Sequence, residues 1–234
     1  MPHHHVNKAQ IPSSRTRLTR KIKTTQGGIL SEVFAQTSSD AAAVAFALSR
    51  IPENSAPILW VQDHLSRKES GRPYLPGLQK AGRPRDILYL QLSRPLDVLW
   101  ALEDGLRCKA LSAVIGEIWG DPPALSFTAS KRLAMRAEAS GTGCWLIRRG
   151  AAANLSAARD RWRVGSLPST PNPHDAQAPG AARWQVELFR SRDGKPGTWA
   201  ARHDRTTDRV DFSAAFRDGA MAQRDGPPRQ RAAR

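Results

Sequence analysis

The chain has 234 residues, enough to bury the core of one sizeable α/β domain. Its 40% apolar content is that of a globular protein, and its net charge of +15 points to a polyanion or an acidic protein surface as partner, with an arginine-favouring genome as the alternative source of the excess. Two cysteines outside any CxxC pair, Cys108 and Cys144, argue against a disulfide framework or a zinc centre, and the apolar run 41–48 falls far short of the roughly 20 residues of a membrane span, so a cytoplasmic protein with no membrane partner is expected.

Residues 1–25 are polar and basic without one acidic side chain, and read as a flexible arm; His3, His4 and His5 within it read as solvated rather than metal-bound. From Gly27 the texture changes. ILSEVF (29–34) predicts a strand, and 38–50 predicts a helix capped by Ser38 or Ser39 and stopped by Pro52. PILWVQ (57–62) is an apolar run suited to a strand covered on both faces, followed by a polar loop and a short helix near LPGLQKAG. DILYLQL (86–92) is the next strand. Pro95 opens a helix that places Leu96, Leu99, Leu102 and Leu106 on one face. A buried strand over 110–120, a helix over 125–140 and a strand over 143–150 complete the alternation, in which Cys144 reads as a small core residue. Strands alternating with helices argue for a largely parallel sheet with helices on both faces. Beyond residue 155 the helices stop: RDRWRVGSL and ARWQVELFRSRDGKPGTWAARHD alternate like strands, with Asp-Gly and Pro-Gly bending a hairpin, and a Pro-rich loop lies between them. Residues 213–234 read as a disordered Arg/Pro-rich tail, leaving 26–212 as the core.

The turn after the first strand is where such folds carry a phosphate loop. That loop needs two glycines, a lysine and a hydroxyl, so that backbone N–H groups cradle the phosphates while the lysine and a magnesium ion neutralise them. The matching window, AQTSSDAA, has Ala35, Asp40, Ala41 and Ala42 at those positions, and Asp40 places a negative charge where a phosphate would sit. Either the frame of a phosphate loop persists with its chemistry deleted, or this is an ordinary βα turn.

A wider resemblance favours the first alternative. It rests on Gly27-Gly28, Ser31-Glu32-Val33, Ile58-Leu59-Trp60-Val61 and Tyr74-Leu75-Pro76-Gly77-Leu78. To these add 99–104 (LWALED), 128–133 (TASKRL), Arg161-Trp162-Arg163-Val164 and Arg183-Trp184-Gln185-Val186-Glu187-Leu188. In this order and spacing, over roughly residues 26–204, the chain resembles the ImuA family, RecA-like accessory proteins of the bacterial ImuA–ImuB mutagenesis cassette. The resemblance implies a RecA-like three-layer fold with a C-terminal antiparallel hairpin, no standard ATP site, no cofactor and no catalytic residue. It implies action beside an ImuB-like protein and an error-prone replicative-type polymerase in damage-induced translesion synthesis, with nucleoid association when DNA is damaged. RecA, single-stranded DNA and a second copy of the chain are further candidate partners. An unorthodox ATPase or RecA-filament modulator, and a SulA-type division inhibitor, are the alternatives.

Three groups of charged residues complete the expectations. Glu117 is the one acid where a RecA-like fold directs magnesium; it reads as a relic or structural residue, with a general base as the alternative. Arg190 and Arg192 resemble the basic pair that reaches a neighbour's phosphate in related hexameric ATPases, or are two solvated arginines on an edge strand. Arg148, Arg149, Arg159, Arg161 and Arg163 form a candidate DNA or partner surface, with alternation placing Arg159, Arg161 and Arg163 on one face and Trp162, expected in the core, on the other.

Overall fold

The computed structural model describes residues 28–52, 56–74, 76–77, 86–175, 177–204 and 209–213. The N-terminal arm, with its three histidines, and nearly all of the expected tail lie outside them. The elements in chain order are β1 (Leu30–Ala35), α1 (Ala42–Ser49), β2 (Ile58–Asp63), α2 (His64–Ser70), β3 (Ile87–Leu92), α3 (Pro95–Gly105), β4 (Ala113–Trp119), α4 (Phe127–Ser140) and β5 (Gly143–Arg149). Then β6 (Asp160–Leu167), β7 (Arg183–Ser191), β8 (Gly197–Asp204) and β9 (Arg209–Ser213) follow without helices. They form one nine-stranded sheet of order β3-β2-β4-β5-β1-β6-β7-β8-β9. The strands from β3 to β6 in that order are parallel, and β7, β8 and β9 are antiparallel.

Two cores cover the two faces of the sheet, because alternate side chains of each strand point opposite ways. On one face α1 packs through Ala42, Ala43, Phe46 and Ala47 on Val33, Trp145, Ile147 and Trp162. Its small alanines let the helix approach, and the Phe46 ring lies 5.1 Å from that of Trp162. On the other face α3 and α4 cover Leu30, Val61, Val114, Cys144 and Leu146. Two glycines make this close packing feasible. A Cβ at Gly116 would meet Leu102 of α3 and Leu146 of β5, and one at Gly28 would collide with the Ala137 carbonyl at the end of α4.

Local chemistry accounts for three departures from the expected elements. Helix α1 starts at Ala42, and neither Ser38 nor Ser39 caps it; the Asp40 carboxylate accepts from the Ala42 N–H at 2.8 Å. The segment after β2, expected as a loop, is α2: the Asp63 carboxylate caps it by accepting from the Ser66 N–H at 2.6 Å, and Gly71 ends it at φ 78°. In α3 the buried stripe is Val98, Leu99, Leu102 and Gly105, while Leu96 in the first turn is 37% exposed. At the other end of the chain β9 closes the sheet at Ser213, one residue into the expected tail.

Candidate functional site

In open α/β sheets, ligands gather beyond the carboxyl ends of the parallel strands. Here β1 ends at Ala35, and residues 36–41 form the turn into α1. Arg149, the last residue of β5, reaches across to this turn. Its Nη1 donates to the Ser38 and Asp40 carbonyls, each at 2.8 Å. Its Nε lies 3.5 Å from the Glu117 carboxylate of β4. The other Glu117 oxygen accepts from the Trp60 indole N–H at 2.9 Å. The turn is also tied to β6: Asp40 accepts from the Ser166 N–H at 2.6 Å and from its hydroxyl at 2.7 Å.

The protonation chemistry follows from these contacts. Burial opposes the charge on Asp40, but hydrogen bonds from Ala42 and Ser166 and the charge of Arg149 together hold its carboxyl below the ordinary value. Burial raises the Glu117 carboxyl above its ordinary value, an effect that Arg149, Gln62 and Trp60 only partly offset. The acid at the end of β2, Asp63, is engaged structurally: besides capping α2 it accepts from the Trp119 N–H at 3.3 Å, tying β2 to β4.

A second buried charge cluster occupies the opposite face of the sheet. Glu32 of β1, 1% exposed, accepts from Arg161 Nε at 2.6 Å and from the Ser156 hydroxyl at 2.8 Å, with Arg148 Nη1 4.0 Å away. Arg148 also donates to Asp121 and to the Gly120 carbonyl, each at 2.8 Å. Burial lowers the affinity of Arg148 for its proton, against the pull of Glu32 and Asp121. Arg161 stands 5.3 Å from the Phe34 ring centroid and 5.2 Å from that of Phe189.

These contacts revise the expected arginine surface. Arg148, Arg149 and Arg161 are buried at 5%, 4% and 3% exposure, each in an internal ion pair, and do not form an outer stripe. Trp162 is buried as expected, but the arginine next to it is buried on the opposite face. Arg159 precedes β6 and pairs with Asp193 at 2.6 Å and Glu138 at 3.5 Å. Arg163 is half exposed, pairs with Glu187 at 3.1 Å and stacks 4.1 Å from the Phe189 centroid. Arg190 and Arg192 are exposed, and Arg190 donates to the Ser156 carbonyl at 3.2 Å. Ala35, Asp40, Ala41 and Ala42 do lie together, at the turn. Sequence reasoning missed Glu32, Ser156 and Ser166. Of these Glu32 carried a signal, a carboxylate inside a largely apolar strand. Among the described residues no group of three or more His, Cys, Asp or Glu could hold a metal ion.

The sheet order, the helices on both faces and the site at the strand ends define a RecA-like α/β protein. The chain superposes on the crystal structure of the RadB recombinase with a TM-score of 0.52, covering 79% of this chain and 90% of that one at 12% identity. Its relatives narrow the class. It is 35% identical over 137 residues to Protein ImuA of Caulobacter vibrioides, in strain NA1000 / CB15N and in strain ATCC 19089 / CIP 103742 / CB 15, and this supports the ImuA family for the chain. The matched stretch is 54% of this chain, and the chain spans about half the length of the curated relatives it matches. No family model matches.

Proposed function

We propose that the chain is a non-catalytic, RecA-like adaptor or regulator of damage-induced translesion synthesis, acting with an ImuB-like protein and an error-prone replicative-type polymerase. One observation carries the non-catalytic part: the turn after β1 points the carbonyls of Ser38 and Asp40 at the protein's own Arg149. A triphosphate is held by inward N–H groups and a cation; inward carbonyls repel it.

A surface at the far edge of the sheet supports docking of a protein. Among the described strands β3 is an edge, and its Leu88 and Leu90 are 54% and 39% exposed. By alternation they share the face of Leu92, which packs toward α3, where Trp100 is 51% exposed. An apolar strip beside an open strand edge suits strand addition by a partner segment or a second copy. Contact with RecA or single-stranded DNA would fall to Arg159, Arg163, Arg190 and Arg192. The protein would act in the cytoplasm and at the nucleoid; no helix among the described residues is long and apolar enough to cross a membrane.

The test is co-purification of the full chain with an ImuB-like protein, together with equilibrium binding of ATP at millimolar concentration. The expected result is a stable complex and no nucleotide binding. Saturable magnesium-ATP binding would overturn the non-catalytic reading, and failure to co-purify would overturn the adaptor reading.

A further inference from the structure

We propose that Arg149 is the resident cation of the turn after β1, cross-linking β1, β4 and β5 as a bound metal–nucleotide does in a working site, so that the core holds one closed state without any ligand. This deepens the non-catalytic reading above and rests on it.

The polarity of the turn is the first support. It presents oxygens inward, from Ser38 and Asp40, which makes it a cradle for a cation. The second is the source of the counter-charge. Glu117 comes from β4, and with Arg149 from β5 it makes an ion pair whose two side chains are 2% and 5% exposed. A cation so far from water has to be paired and hydrogen-bonded, and Arg149 is both. Third, further hydrogen bonds hold the two ends. Trp60 donates to Glu117, Tyr89 donates to Gln62 at 2.8 Å, and Gln62 lies within reach of Glu117. At the other end Asp40 fastens the turn to Ser166 of β6. The resulting polar chain runs from β3 through β2, β4 and β5 to the β1 turn and β6. Lysine would not replace this arginine, since one ammonium cannot offer separate nitrogens to a carboxylate and to two carbonyls in fixed directions.

Hydrogen–deuterium exchange of the full-length chain, read over residues 36–43, tests the assignment. In the wild type, magnesium-ATP and inorganic pyrophosphate should leave protection of this segment unchanged. Arg149→Gln should raise its exchange by about tenfold or more while β2 and β3 stay protected. Arg149→Lys should fall between the two and serves as the variant of record if the glutamine variant fails to fold. Glu117→Gln/Arg149→Gln should exchange more slowly than Arg149→Gln alone, because no uncompensated carboxylate remains. Exchange in Arg149→Lys equal to wild type, or protection gained by the wild type on adding magnesium-ATP, would overturn the proposal. Failure to bind an ImuB-like protein with these exchange results intact would remove the adaptor reading and leave the role of Arg149 standing.

Discussion

Arg148 and Arg149 are neighbours in one strand, yet they serve opposite faces of the sheet. Arg149 faces α1 and closes the turn with Glu117, while Arg148 faces α4 and joins Glu32, Asp121 and Arg161. The two-residue period of a strand separates like charges that sequence places side by side. The clusters differ in what surrounds the carboxylate. Glu32 lies near two arginines and accepts from a hydroxyl, whereas Glu117 has one arginine and an indole N–H, and burial raises its pKa. Loss of Glu32 disturbs two buried arginines, and loss of Glu117 one.

Breaking the α4-face cluster should therefore cost most. Glu32→Gln takes the counter-charge from buried Arg161, while Arg148 keeps Asp121 and the Gly120 carbonyl, and should destabilise the protein by about 3–5 kcal/mol in urea unfolding. The same substitution on the α1 face, Glu117→Gln, also takes a counter-charge from a buried arginine, but Arg149 keeps the Ser38 and Asp40 carbonyls and the amide keeps the acceptor for Trp60, so it should cost about 2–3 kcal/mol. If the two losses prove equal, the asymmetry between the faces is mistaken.

Acid sharpens the same comparison. With Arg149 replaced by Gln, Glu117 is left buried without its cation, so the folded state favours its protonated form still more. A group with a raised folded pKa adds stability fully present below its unfolded value and lost as pH rises through the folded one. The Arg149→Gln deficit, measured by urea unfolding across pH, should thus shrink on acidification from neutral. Asp40 has the opposite sign. Its carboxyl is held below its ordinary 3.8, so what it contributes is whole above that value and disappears as pH falls through the lower, folded value. Asp40→Asn should cost about 1 kcal/mol at pH 7 and lose that difference in strong acid.

The smallest effect belongs to the outer surface. Arg163→Ala removes an exposed pair with Glu187 and should change stability by about 0–1 kcal/mol. If the four outer arginines neutralise phosphates of single-stranded DNA, log K should fall with log salt with a slope of about 3 at most. A slope above that would require phosphate contacts outside this set.

The regular elements were legible because their signals are local. Alternating apolar runs, Pro95 at the start of α3 and the Asp-Gly and Pro-Gly bend between β7 and β8 all act over a few residues, and each element except α2 and β9 stands where its signal predicted within a few positions. Helix α2 was not legible, because His64–Ser70 has little apolar periodicity and depends on the Asp63 cap. The missing lysine and glycines of the phosphate loop could be read directly, but what fills their place could not.

Sequence alone determined most of the succession of strands and helices, the end of the helices after β5 and the lack of a lysine in the phosphate-loop window, since period, turn residues and motif spacing are properties of short segments. Only the tertiary structure decided that three of the five clustered arginines lie inside. Glu32 and Arg161 are 129 residues apart in the chain and 2.6 Å apart across the β1–β6 pair, and Arg149 meets the Ser38 carbonyl 111 residues away. A charge is buried or solvated according to the partner that strand order brings to it, and that order depends on contacts between segments far apart along the chain.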